Sequence, residues 1–236
     1  MHNNFYGDIL LTIDKKFVDD KLSLTANLGA SLVDDKNKAS GFEGHLATVA
    51  NKFSVYNISM THSQTKPYAD RWHDQNQAVY GTLQLGWNGM VYVDGTVRND
   101  WSSQLAFTPN QSVCYYSAGL SGVISSMADL SGAGISFLKV RGSYSTAGNP
   151  PQRFITGVNT PLTVGGNISS DTYAPAKNLK PELTKSYEAG LNVKFLEDMF
   201  DLDVTYYNAT TYNQLFQYDA APSTGYKQAY INAGKV

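Results

Sequence analysis

From residue 22 to residue 32 the even positions are Leu22, Leu24, Ala26, Leu28, Ala30 and Leu32, while the odd ones are Ser23, Thr25, Asn27, Gly29 and Ser31. Strict alternation over this length requires a β-strand with one apolar and one polar face. The pattern recurs at Val79, Leu83, Leu85 and Trp87 against Tyr80, Thr82 and Gln84, and at Val91, Val93 and Val97 against Tyr92, Asp94, Thr96 and Arg98. Asn88-Gly89 between those two runs is a hairpin signal. Further copies are Leu138, Val140 and Tyr144, then Tyr187, Ala189, Leu191, Val193 and Phe195, then Leu202, Val204 and Tyr206. Weaker runs at 5–14 and 115–124 bring the total to roughly eight. Each is about ten residues long, which suits a tilted strand crossing a hydrocarbon layer better than a soluble sandwich strand of about five or six.

The connections alternate in length. Those at 15–21, 88–89 and 196–200 are short, whereas 34–78, 99–112 and 148–185 are long and polar, and 125–136 falls in phase with the short rim. Short turns on one rim and long loops on the other are how outer-membrane barrels are built. The segments Phe17-Val-Asp-Asp-Lys-Leu-Ser-Leu24 and Phe195-Leu-Glu-Asp-Met-Phe-Asp-Leu202 resemble each other and predict one hairpin solution used twice. The fold class is therefore all-β, an antiparallel transmembrane barrel wall of about eight strands.

Composition agrees. Charged residues are 16% of the chain, aromatics 12%, and Tyr alone contributes 16 residues, a strand-rich profile. A net charge of -2 gives no reason to expect a nucleic-acid partner. The lone cysteine, Cys114, excludes an internal disulfide and a cysteine-based zinc site, and reads as a small wall residue. The N-terminal Met1-His2-Asn3-Asn4 runs straight into a strand-like segment without signal-peptide character, and no stretch approaches the length of a spanning helix. Two other architectures share the pattern: a soluble β-sandwich, such as a carbohydrate-binding module or adhesin, and a small barrel of eight strands closed on itself. The first predicts solubility without detergent, the second pairing of the first and last strands.

Four stretches, in order, carry a family resemblance: Arg98-Asn-Asp-Trp-Ser-Ser103, Phe137-Leu-Lys-Val-Arg-Gly-Ser-Tyr-Ser-Thr-Ala-Gly-Asn149, Asn178-Leu-Lys-Pro-Glu-Leu-Thr-Lys-Ser-Tyr-Glu-Ala-Gly-Leu191 and Asp203-Val-Thr-Tyr-Tyr-Asn-Ala-Thr-Thr211. With them the chain resembles the SusC/RagA-type TonB-dependent outer-membrane transporters. The resemblance implies a barrel of about 22 strands closed by an N-terminal plug. Residues 1–236 then form part of one barrel domain, without plug or TonB box, and Tyr230-Ile-Asn-Ala-Gly-Lys-Val236 looks like the start of the next strand. It further implies a Gram-negative outer-membrane location, import of glycans or peptides, contact with outer-membrane lipid, coupling to TonB through the plug, and a SusD-type surface lipoprotein over the loops.

Transport needs no catalytic group, and none is expected. His62, Asp70, His73 and Asp74 share one long loop at spacings that fit no metal site, and Gly132-Ala-Gly134 lacks the strand-to-helix setting of a nucleotide fingerprint. No metal and no cofactor are expected. Arg98, Asp100, Lys139, Arg141, Glu188 and Lys194 fall on the polar face of their strands. In a barrel that face is the lumen, because a cation facing lipid near midplane costs roughly 2–4 kcal/mol. The candidate substrate-binding aromatics are Tyr68, Trp72, Trp101 and Tyr173, with Phe154 in the same long loop as Tyr173. For Trp101 two readings stand: a sugar-stacking surface at the outer mouth, or an anchor in the interfacial aromatic girdle. The other loop aromatics suit sugars, a protein partner or simple loop packing.

Overall fold

In the computed structural model, which describes residues 1–157 and 173–236, eight strands form one antiparallel meander in sequence order. They are β1 (His2–Phe17), β2 (Leu22–Glu43), β3 (Lys66–Trp87), β4 (Val91–Ser102), β5 (Ser112–Val123), β6 (Ile135–Asn149), β7 (Glu182–Phe195) and β8 (Phe200–Tyr212). A separate hairpin, β9 (Leu215–Asp219) and β10 (Gln228–Asn232), follows. β1 and β8 lie at opposite edges of an open sheet, so the eight strands do not close on themselves.

The short rim is set by local backbone chemistry. Asn88 and Gly89 both take positive φ, 50° and 68°, as a two-residue hairpin turn demands. The two similar turns do adopt one solution. Val18, Asp19 and Asp20 have φ of 56°, 53° and 65°, and Leu196, Glu197 and Asp198 have 54°, 55° and 65°. Each is closed by one bond of 3.1 Å, from Lys21 N–H to Val18 C=O and from Met199 N–H to Leu196 C=O. Flanking pairs Phe17/Leu22 and Phe195/Phe200 fix the register on either side.

Two expectations are corrected. Residues 34–78 are not one loop: β2 and β3 pair continuously from Leu22/Trp87 to Glu43/Lys66, leaving 44–65 as the connection. The extension is held by polar cross-strand contacts, such as Asn37 Nδ2–H to Asp70 Oδ2 at 2.8 Å, so it carries no apolar alternation. Near the C-terminus, Tyr230 and Ile231 belong to β10 and pair with β9. Pairing with β8 comes only at Lys235 and Val236, where Thr211 and Val236 exchange N–H···O bonds of 2.7 and 3.0 Å.

The sheet has no two-sided core. Among the described residues the buried hydrophobics are Ala78, Leu105, Ile155, Leu179 and Ala229, all where long loops fold against the loop end of the sheet. Asn110 Nδ2–H donates to Leu179 C=O at 3.0 Å, tying the β4–β5 loop to the β6–β7 loop, and Ala176 N–H donates to Ile155 C=O at 2.9 Å within the latter.

Candidate functional site: the polar face and its loop rim

Pairing places Leu11, Leu28, Gly81, Val97 and Tyr116 in one row, and Lys15, Leu24, Leu85, Val93, Leu120, Ala189 and Tyr206 in another, all on the same face. That face is uncovered: Ile9 is 79% exposed, and Leu28, Val79, Val97, Leu120, Tyr187 and Val204 are all exposed. A soluble sandwich would bury it. Tyr116, Tyr144, Tyr187 and Tyr206 line its loop-side border, with ring centroids 5.8 Å apart for Tyr116 and Tyr144 and 4.9 Å for Tyr144 and Tyr187. Phe17, Trp87, Phe195 and Phe200 mark the turn-side border. Tyr144 lies two residues below the position opposite Tyr116, and Tyr206 two below the position opposite Tyr187. A drop of about four residues at about 3.3 Å each, over three strand spacings of about 4.8 Å, gives a tilt of about 42°, within the range for transmembrane barrels.

The opposite face is polar. Arg98 Nε–H donates to Asp100 Oδ1 at 2.6 Å, and the Arg98 guanidinium sits 5.6 Å from the Tyr80 ring centre. Arg141 makes a fork to Asp203 at 3.0 and 3.2 Å, donates to Thr205 Oγ1 at 2.6 Å and lies 3.8 Å from Glu188. Lys194 is 3.8 Å from Asp201, and Lys139 lines a cleft of 260 Å³ with Asp94, Arg141 and Glu188. Large side chains here lie flat over glycines. A Cβ on Gly29 would collide with the Tyr80 ring, and one on Gly190 with the Arg141 side chain.

At the loop rim the polar face carries Trp72 with the Arg153 guanidinium 3.6 Å from its ring centre. Arg153 also pairs with Asp74 at 2.8 Å, and Gln104 Nε2–H donates to the same Asp74 oxygen at 3.4 Å. Asp74 is only 8% exposed, while the Arg153 side chain is 35% exposed, so the pair bridges the packing under the loops to the open polar face. His2 flanks Trp72 at 5.7 Å and hydrogen-bonds Asp35. Tyr68, opposite Gly41, shares this face. Together these residues present the exposed Tyr68 ring and a half-buried Trp72 whose face carries a fixed cation, suited to stacking and polar recognition of a ligand in the mouth.

The four candidate aromatics do not assemble. Tyr68 and Trp72 share the polar face, whereas Trp101 alternates with Asp100 and lies on the apolar face, in a groove with Phe5, Ile9, Leu32 and Val79. That placement favours the girdle reading of Trp101. Tyr173 packs against Tyr230 in a tilted ring contact at 5.3 Å beside β10, and burial, then the neighbouring Tyr173, raises the Tyr230 phenol above its ordinary value. Phe154 is exposed beside Arg153. The polar tetrad splits too: His73 bonds Asp34 on the apolar side at 2.7 Å, Asp70 and Asp74 face the other way, and His62 packs on His45. Sequence reasoning missed Arg153, Gln104, Asp35 and His2. The alternation Asp70-Arg-Trp-His-Asp74 was the available signal for this strand's two faces.

Residues 3–236 match the model of the TonB dependent receptor-like, beta-barrel family. The chain belongs to that family. Members reside in the Gram-negative outer membrane, so this chain is part of an outer-membrane barrel wall. It is similar to TonB-dependent receptor P3 of Formosa agariphila, 24% identical over 99% of this chain and 24% of that protein. In fold it is similar to the RagAB peptide importer in the open-open state, with TM-score 0.78, 21% identity, and coverage of 99% of this chain and 26% of that one. The siderophore receptor PirA of Acinetobacter baumannii overlays with TM-score 0.59 at 15% identity, covering 99% of this chain and 33% of that one. The barrel segment thus spans about a quarter of the curated receptor's length.

Proposed function

We propose that this segment is the wall of an active importer of the SusC/RagA type, which takes up peptides or glycans through a lumen lined by the polar face. The apolar face then meets lipid, and Arg98, Asp100, Lys139, Arg141, Glu188 and Lys194 face the lumen, where the pairing of all but Lys139 holds their side chains against the wall and leaves room for a plug. A plug coupled to TonB would lie elsewhere in the full polypeptide. The observation that carries the reading is the Trp72–Arg153–Asp74 cluster, which sets an aromatic and a fixed charge on the polar face at the loop rim. Tyr68 and Trp72 are the proposed contacts, Tyr173 a more peripheral one, and Trp101 an interfacial anchor.

A surface lipoprotein partner is supported by the connection 44–65. Its fold is organised by Asn57, whose side chain donates to Val49 and Lys52 C=O at 2.7 and 2.9 Å and accepts from Thr48 and Val49 N–H at 3.3 and 3.1 Å. Around this knot Phe53 and Tyr56 point fully outward, at 87% and 101% exposure, an apolar tip suited to a protein contact. The test is uptake of labelled oligopeptides and oligosaccharides by cells carrying the intact transporter with Trp72→Ala or Arg153→Ala. The reading expects uptake of one polymer class to fall at least tenfold while surface level is kept. Unchanged uptake of both classes would overturn it.

A further inference from the structure

Above the apolar band, the outward face of β2 and β3 changes character. Lys36, Lys38, Arg71 and His73 all lie on it and are exposed, while the nearby acids Asp35, Asp70 and Asp74 point to the polar face. One acid shares the outward side, Asp34, and it is already engaged by Lys36 at 2.8 Å and His73 at 2.7 Å. Lys38 and Arg71 stand directly opposite each other on paired strands, and among the described residues neither side chain has an ion-pair partner. Like charges directly opposite destabilise a sheet unless an anion lies between them.

Directly below is the groove of 460 Å³ walled by Phe5, Ile9, Leu32, Val79 and Trp101 and floored by Gly7 and Ala30. Lys36 is four residues beyond Leu32 on β2 and on the same face. That is about 13 Å along the strand, and Lys38 is about 20 Å along it, or about 10 and 15 Å along the membrane normal at the tilt above. Lysine and arginine reach back from such a position into the headgroup layer. Being on the long-loop rim, the site faces the outer leaflet.

We infer that Lys38 and Arg71, with Lys36 beside them and the groove beneath, hold one phosphorylated, acylated glycolipid of the outer leaflet, its phosphate between Lys38 and Arg71 and an acyl chain against Trp101. The site rests on the outer-membrane orientation of the sheet and is independent of what is transported. Two features converge on this occupant: Lys38 and Arg71, paired across the strands without an acid between them, and an apolar groove below them that is continuous with the lipid face.

The intact transporter, extracted in mild detergent, is placed in nanodiscs with phosphorylated lipid A, dephosphorylated lipid A or phosphatidylglycerol, and retained lipid is counted by native mass spectrometry. The inference expects one phosphorylated lipid A per barrel, at least tenfold less of the dephosphorylated form, little phosphatidylglycerol, and no displacement by millimolar inorganic phosphate. Lys38→Glu/Arg71→Glu should abolish the preference while heat-modifiable mobility reports a folded barrel. Equal retention of the phosphorylated and dephosphorylated forms by the unmutated protein overturns the inference, whether or not the double variant assembles. So does equal retention by a folded variant. Loss of transport in the uptake assay leaves this result untouched, which separates the two readings.

Discussion

Asn57→Ala should unfasten the 44–65 connection without disturbing the wall. Asn57 is 7% exposed, and its amide closes two bonds to carbonyls and accepts two from N–H groups. Net contributions of about 1 kcal/mol per hydrogen bond, reduced because the freed Thr48 and Val49 N–H groups can find water, put the local cost at about 3 kcal/mol. That multiplies the opened population of the loop by about 100. Hydrogen–deuterium exchange with mass spectrometry reads this directly, in a peptide covering Ala47, whose N–H bonds Asn57 C=O at 2.6 Å, and Val49. Exchange there should accelerate by about two orders of magnitude, while peptides of β4 and β7 keep their wild-type rates. Unchanged exchange at 47–49 would refute the claim that Asn57 organises the loop. Exchange raised throughout the sheet would refute its local character.

Further expectations follow from the faces and the glycine pairs. Leu83→Lys, on the apolar face, should cost roughly 2–4 kcal/mol of folding free energy in vesicles, while Thr82→Lys, its neighbour on the polar face, should cost under about 1 kcal/mol; urea titrations into lipid measure both. Gly29→Ala must lift the Tyr80 ring off the wall and should cost about 1–3 kcal/mol in the same titration, with Tyr80→Ala/Gly29→Ala recovering part of the collision term. Hydrogen bonds from Lys36, then His73, hold the Asp34 carboxyl below its ordinary value of 3.8. The folded state therefore takes up this proton less readily than the unfolded one, so the contribution is present above the ordinary carboxylate range and lost as pH falls through it. Exchange in the upper β2–β3 hairpin should rise with acidification below about pH 4 once intrinsic exchange is corrected, and Asp34→Asn should flatten that rise.

The wall was legible because apolar and polar residues alternate wherever one face meets an apolar surround. This fixed the strands around Leu24, Leu85, Val93 and Leu191 and the shared face of Arg98 and Asp100. The upper halves of β2 and β3 were not legible by the same rule. There both faces are polar, so Asp35-Lys-Asn-Lys38 opposite Asp70-Arg-Trp-His73 carries alternation of charge sign instead of hydropathy. Trp72 was visible as an aromatic, but its partner Arg153 was not: it reaches Trp72 and Asp74 across the sheet from a loop whose path no local pattern encodes. The hairpin β9–β10 was missed as a separate element because five-residue strands outside the apolar band look like the start of another wall strand.

The central claim, one face to lipid and the other to an aqueous lumen, is tested most directly by spin labels. Single cysteines are placed at each position of 79–87 and 91–98 in the intact transporter carrying Cys114→Ser. In lipid, accessibility to oxygen should peak at Val79, Leu83, Leu85, Val93 and Val97, and accessibility to a water-soluble nickel chelate at Thr82, Gln84, Asp94 and Thr96, with a period of two and opposite phase. Accessibility without alternation, or with the phases exchanged, would contradict the account.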